Sequence, residues 1–215
     1  MSSNRQRAPT PTRKKMIDEL AMVLLKIKAL QLGTFTLASG KLSSYYVDMR
    51  ALPSFPGAYR YVVDCYLELI RDEVGLSNFD AIAGIPTAGL VFSSPVALEL
   101  AKPMIYVRRE EKRYGTNRRI EGSIKPGWRV LVMDDLITSG GSVLSGVEAI
   151  RDEGGEVQDV AVLIDRLEGG TSNLKKAGVK LHYLADIMQM AETLHAKDAI
   201  THDEMQAIKA QIKAR

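Results

Sequence analysis

The sequence predicts an α/β fold: a doubly wound, mostly parallel sheet with a small N-terminal hood. Short β-branched apolar runs alternate with stretches whose apolar residues recur at helical spacing, as in strand–helix–strand units. They are separated by short loops, which together with the alternation indicates a mostly parallel sheet with right-handed crossovers. Val130 to Met133 is apolar at every position, which suits a strand buried on both faces of a parallel sheet.

From Ile17 through Leu20, Val23, Leu24 and Ile27 the spacing predicts an amphipathic helix that ends before Gly33. A turn and a strand follow, Tyr45 to Met49 having strand composition, and helical spacing returns from Tyr59 to Val74 until Gly75 stops it. Ala81 to Ala83 is a short buried strand. Gly84 to Gly89 then leads into a helix reaching about Leu100, and Met104 to Val107 is the next strand. A charge-dense run from Arg108 to Gly127 precedes the Val130 strand and its helix, which extends to Glu153. Val160 to Ile164 and Val179 to Leu184 are further strands, and Glu192 to Ala214 is expected to form one terminal helix. The first helix and the segment from Phe35 to Met49 fall outside the alternating series, so they are assigned to a cap over the strand ends. The expected division is a disordered basic leader over residues 1–15 and a single domain over 16–215, with the hood at about 16–50, the core at about 51–190 and the terminal helix at about 191–215.

A chain of 215 residues with 46% hydrophobic content buries a sizeable core without needing several domains. No apolar stretch approaches the ~20 residues that span a bilayer, and the N-terminus lacks the apolar core of a secretory signal, so a soluble, cytoplasmic protein with no membrane partner is expected. Cys65 is the only cysteine, which excludes a disulfide or a cysteine metal cluster within one chain and leaves a buried thiol as its reading. The net charge is +3, but residues 1–15 hold five cations and no acid, and subtracting them leaves −2 for the remainder. A slightly acidic body argues against a broad nucleic-acid face.

The chemistry concentrates where the Val130 strand ends. Asp134 and Asp135 stand at its carboxyl end, Leu136 and Ile137 follow, and Thr138, Ser139, Gly140, Gly141 and Ser142 then offer hydroxyls and unhindered backbone N–H groups. Val143, Leu144, Val147 and Ile150 recur at helical spacing, so those donors sit at a helix N-terminus. There the macrodipole favours a phosphate dianion, and glycine lets the chain approach it closely. The two acids would repel that phosphate, so they are assigned to sugar hydroxyls or to a divalent cation. Ligands of open α/β sheets lie at strand carboxyl ends, which makes a merely solvated loop the weaker alternative. No Lys follows the last glycine as in a Walker loop, and there is no Gly-x-Gly-x-x-Gly dinucleotide fingerprint.

This pattern, apolar residues then two acids, two more positions and Thr with small residues, resembles the phosphoribosyl pyrophosphate (PRPP) motif of type I phosphoribosyltransferases. Four further segments, in their order along the chain, are similar to the orotate phosphoribosyltransferase family, and the resemblance runs from Ile17 to Ile187. Gly33 to Tyr46, with Phe-Thr-Leu-Ala-Ser-Gly leading to Ser-Ser-Tyr-Tyr, is similar to the family's hood, which covers the base; taken alone it is equally a turn and an edge strand. Ala83 to Gly89 looks like the pyrophosphate loop, or else a tight strand-to-helix connection. Arg108 to Gly122, with six cations against three acids and glycines at 115 and 122, resembles the catalytic loop, the bland alternative being a solvated charged loop. Ile164 to Gly170 ends the next strand, and its Arg166 matches the position that holds the orotate carboxylate, although Asp-Arg pairs at strand ends also serve as structural ion pairs.

The resemblance implies an enzyme that joins orotate to PRPP. It puts PRPP on Arg108, Arg109, Lys112, Tyr114 and residues Asp134 to Ser142, orotate on Thr138 and Arg166, and catalysis on Lys112, Asp134 and Asp135. It also implies Mg²⁺ carried mainly by PRPP rather than by a protein cage, and a homodimer whose loop residues act in trans. The chain departs from the family at Ala38 and Ala88, where many relatives carry Lys, at Arg109, where Lys is common, and at Tyr114, where His is common. Lys41 or the charged loop from Arg108 could make up for Ala38. No chemistry is assigned to His182, His195 or His202. The rivals are a purine or uracil salvage enzyme of the same fold and a PRPP-sensing regulator that binds nucleic acid.

Overall fold

The computed structural model describes residues 12–36, 40, 42–108 and 119–213. Its centre is a seven-stranded sheet in which β5 (Ile120–Glu121), β4 (Met104–Val107), β3 (Ala81–Gly84), β6 (Val130–Met133), β8 (Asp159–Asp165) and β9 (Lys180–Asp186) lie side by side, with β7 (Leu136–Ile137) also paired to β8. All pairings are parallel except that of β5, which turns back antiparallel on β4. A separate antiparallel hairpin, β1 (Leu30–Thr36) and β2 (Leu42–Val47), forms the hood.

Both faces of the sheet are covered, and period-two alternation along β6 shows why. Val130 and Val132 pack with Val143, Val147 and Ile150 of α4 (Gly141–Asp152), whereas Leu131 and Met133 join the opposite core with residues of α2 (Pro56–Leu69) and α3 (Ala88–Glu99). A continuous apolar strand is therefore what two packed faces require. Chain order reverses between β3 and β6, since β3 and β4 run to one side and β6, β8 and β9 to the other. A switch point of this kind opens a crevice at the strand carboxyl ends.

Three sequence expectations change. First, α1 (Arg13–Lys26) begins inside the stretch assigned to a disordered leader, because Thr12 caps it by accepting from Lys15 N. Second, the single terminal helix is two, α6 (Ile187–Ala196) and α7 (His202–Lys213). Asp198 at φ 54 breaks the run, and Thr201 with Glu204 makes reciprocal cap contacts of 2.8 and 3.2 Å that start a new helix. Third, the hood does not consist of N-terminal residues alone. Gln211 of α7 accepts from Ser44 N at 2.6 Å and donates to Ser43 Oγ at 3.1 Å, tying the C-terminal helix to β2. The apolar periodicity had offered no sign of α5 (Gly170–Lys176) or of the 3₁₀ turn Met49–Ser54.

Candidate active site

A cleft of roughly 270 Å³ opens at the switch point. Its walls come from the hood side (Val47, Asp48, Arg50), from the loop after β3 (Pro86, Thr87, Ala88), from residues 134–138 and 140–143, and from Arg166. One local feature assembles most of it. The chain does not leave the sheet at Asp134, as expected, but keeps the same register along β8, Met133 facing Ala161 and Leu136 facing Ile164. Asp134 N donates to Ala161 O at 3.2 Å, and Leu163 N donates to Asp135 O at 3.0 Å. Arg166 N then donates to Ile137 O at 3.0 Å, so the residue after β8 is hydrogen-bonded to the end of β7.

The acid pair is tightly held. Asp134 Oδ1 accepts from Asp135 N at 3.0 Å, and the buried Tyr66 hydroxyl donates to Asp134 O at 2.7 Å. Burial pushes the Asp134 carboxyl well above the usual carboxylate range and the neighbouring Asp135 charge adds to this, against a hydrogen bond from the Gly89 backbone. Asp135 is also raised by burial, with a smaller push from Asp48. Asp48 itself is held below the usual range by the Arg50 guanidinium, which meets it through Nε at 2.7 Å and Nη2 at 2.9 Å. Two half-buried carboxyls of raised proton affinity, facing a cleft, can accept hydrogen bonds from a polyol.

Beyond Ile137 the chain turns into α4 through Gly140, whose φ of +84° belongs to the left-handed region that glycine tolerates. This turn is backed by α5: Asn173 Nδ2 donates to Ser139 O at 3.0 Å, and a Cβ on Gly170 would sit 2.6 Å from Thr138 O. Free N–H groups at the start of α4 face an exposed mouth at Ser139, Gly141 and Ser142, which suits an anion.

Arg166 is buried on the cleft wall, its Nε donating to Tyr45 Oη at 3.1 Å, its guanidinium over the Tyr45 ring at 4.7 Å and its Nη2 at 3.0 Å from Glu168 Oε1. Asp165 does not pair with it. Its carboxylate accepts from Leu167 N and from Thr171 Oγ1, both at 2.8 Å, and so shapes the turn instead.

The structure thus brings Asp134 to Ser142 and Arg166 together. Arg108 lies in an adjoining cavity with Arg119, Gly141, Ser142 and Ser145, and its Nη1 pairs with Glu121 at 3.1 Å. Ala88 opens α3 and lines the cleft. Arg109, Lys112 and Tyr114, as well as Ala38 and Lys41, lie outside the described residues. The sequence reading missed Asp48, Arg50 and Tyr66, which reach the site only through packing; the one signal available was the Asp-x-Arg spacing after the hood strand. Among the described residues no group of three or more His, Cys, Asp or Glu side chains is placed to hold a metal.

This fold and site define a class. Residues 61–181, more than half of the chain, match the family model of the phosphoribosyl transferase domain. The chain is 40% identical to the orotate phosphoribosyltransferase of Cenarchaeum symbiosum over 92% of its own length and 98% of that protein's, and 37% identical to that of Sulfolobus acidocaldarius over 88% and 94%. It belongs to the orotate phosphoribosyltransferase family. Among solved structures it superposes on the orotate phosphoribosyltransferase of Aeropyrum pernix with a TM-score of 0.72 at 36% identity, covering 82% of this chain and 99% of that one. It also superposes on the UMP synthase of Leishmania donovani with a TM-score of 0.83 at 33% identity, covering 94% of this chain but 43% of that one.

Proposed function

We propose that this chain transfers the phosphoribosyl group of PRPP to orotate, giving orotidine 5′-monophosphate and pyrophosphate in UMP synthesis. The observation that carries the reading is the cleft itself: residues 134–138 and 140–143 line it beside Arg166, whose backbone N–H donates to Ile137 O and whose buried guanidinium suits a carboxylated base. The names of the relatives supply orotate and phosphoribosyl transfer.

Orotate is already an anionic nucleophile at N1, and pyrophosphate is a competent leaving group, so the protein's task is to position the partners and to stabilise charge at C1. Asp134 and Asp135 hold the ribose hydroxyls, donors from Thr138 to Ser142 hold the 5′-phosphate, and the backbone at Leu136 and Ile137 lines the sugar. Thr138 also reaches the base. Asp134 and Asp135 are the carboxylates that would share a Mg²⁺ carried by PRPP, and the ion would neutralise pyrophosphate charge there. By family matching Lys112, with Arg108, Arg109 and Tyr114, closes over the pyrophosphate, from the second subunit of a homodimer. Among the described residues no helix is long and apolar enough to cross a membrane, and cytoplasmic residence belongs to the same reading.

Loss of orotate absorbance on mixing protein, Mg²⁺, PRPP and orotate is the expected result, with uracil and adenine inert in parallel. Conversion of either neutral base instead of orotate, or silence with all three, would overturn the assignment.

The α3 start is a further test. A Cβ on Gly89 would lie 2.7 Å from Met133 O and 2.9 Å from Asp134 Oδ1, a clash with main chain that no rotamer relieves. Gly89→Ala is therefore expected to raise the KM for PRPP about tenfold and to destabilise the fold by about 1–3 kcal/mol, read by steady-state kinetics and a thermal melt. An unaltered KM for PRPP would show that α3 does not set Asp134.

A further inference from the structure

The base-selecting arginine is held from an unexpected direction, and this inference rests on the reading that Arg166 takes the orotate carboxylate. A guanidinium is a planar fork, so its outward N–H groups point in a defined direction only if the plane is fixed. Tyr45 fixes it twice, by accepting from Nε at 3.1 Å and by setting its ring face 4.7 Å from the guanidinium carbon. Glu168 Oε1, in the turn beyond β8, lies 3.0 Å from Nη2 as an ion pair without hydrogen-bond geometry, so the orienting hydrogen bond is the one to Tyr45.

Tyr45 is fully buried and is itself tied down from behind. Ser43 Oγ donates to Tyr45 O at 2.7 Å, and Gln211 of α7 donates to that same Ser43 Oγ at 3.1 Å. The Gln211 carbonyl oxygen accepts from Ser44 N at 2.6 Å and Ser44 Oγ at 2.9 Å. A continuous series of hydrogen bonds therefore runs from the C-terminal helix, through the hood strand, to Arg166. A buried tyrosine needing only a partner for its hydroxyl would not require its strand to be clamped by a helix 166 positions later in the chain.

We propose that Tyr45 is the positioning residue that aims Arg166 at the base carboxylate, and that Gln211 of α7 holds Tyr45 in place through Ser43 and Ser44. Selection of a carboxylated base is thereby built partly into the C-terminal helix, which touches neither substrate.

Tyr45→Phe keeps the ring under the guanidinium and removes only the acceptor. It is expected to raise the KM for orotate about tenfold or more, the scale of one hydrogen bond to a charged group, with kcat and the KM for PRPP essentially unchanged. Gln211→Ala should move the orotate KM in the same direction by less. Arg166→Gln is measured alongside. If Arg166→Gln raises the orotate KM and Tyr45→Phe does not, the positioning role fails while the arginine assignment stands. If Arg166→Gln leaves the orotate KM at the wild-type value, the base assignment fails and takes this inference with it. A rise in both KM values with a lowered melting temperature in Tyr45→Phe means general loosening and also overturns the role. Should Tyr45→Phe not fold, Gln211→Ala decides by the same split between the two substrates.

Discussion

Asp134→Asn is expected to lower kcat/KM by ~10²–10³-fold, about 3–4 kcal/mol at the transition state, while making the ligand-free protein more stable at neutral pH. The two effects share one cause. Burial and the Asp135 charge raise the Asp134 carboxyl well above its ordinary range, so the folded state holds its proton to higher pH than the unfolded chain, in which it leaves near 3.9. Between those two values the folded state binds more protons, and stability falls as pH rises through the window. Asparagine does not titrate. The stability gap between variant and wild type should therefore open above pH ~4 and level off above the folded value, each kcal/mol appearing as about 2–4 °C in melting temperature. Sugar hydroxyls donate to the carboxylate form, so PRPP binding should expel protons from the pair. Calorimetry in buffers of different ionisation enthalpy reads that release, which Asp134→Asn should reduce. A variant with wild-type turnover and an unchanged stability profile would falsify the assignment of this pair to the sugar.

Arg166→Gln is expected to raise the orotate KM by tens- to about a thousandfold, or about 2–4 kcal/mol, without altering the KM for PRPP. The donors proposed for the phosphosugar lie in the turn after β7 and at the α4 start, and neither depends on the guanidinium head. The same change removes the Arg166–Glu168 ion pair, in which Glu168 is 15% exposed, so the melting temperature should fall as well. A double variant, Arg166→Gln with Glu168→Gln, separates the two consequences: stability should recover and orotate affinity should not. Recovery of both would mean that Arg166 serves the fold rather than the base.

What could be read along the chain is what depends on local order. The run of apolar residues at Val130 to Met133 is dictated by two packed faces, and helical spacing from Val143 follows from one buried stripe, so strand and helix were legible together with the turn between them. Asp134 and Asp135 were legible as a pair because nothing in an apolar strand requires acids. Arg166 was legible only through family resemblance, since Asp-Arg at a strand end is ordinary, and the ion pair that this suggested does not exist: Asp165 caps the turn. At the C-terminus the apolar spacing runs on through a local stop-and-start signal, and the Thr201–Glu204 capping box splits what looked like one helix.

The sequence by itself determined the parallel sheet, the glycine-rich turn at a helix start and the acids at a strand end, because hydrophobic periodicity and backbone chemistry act over a few residues. Only the tertiary structure decided that β7 continues beside β8 and so brings Arg166 to the cradle, that Asp48 charges the surroundings of Asp135, that Tyr66 supports Asp134 from beneath, and that Gln211 reaches the hood. Those contacts join residues far apart in the chain. Their geometry is set by the register of packed strands and by the helices laid against them, and no spacing within a single segment encodes it.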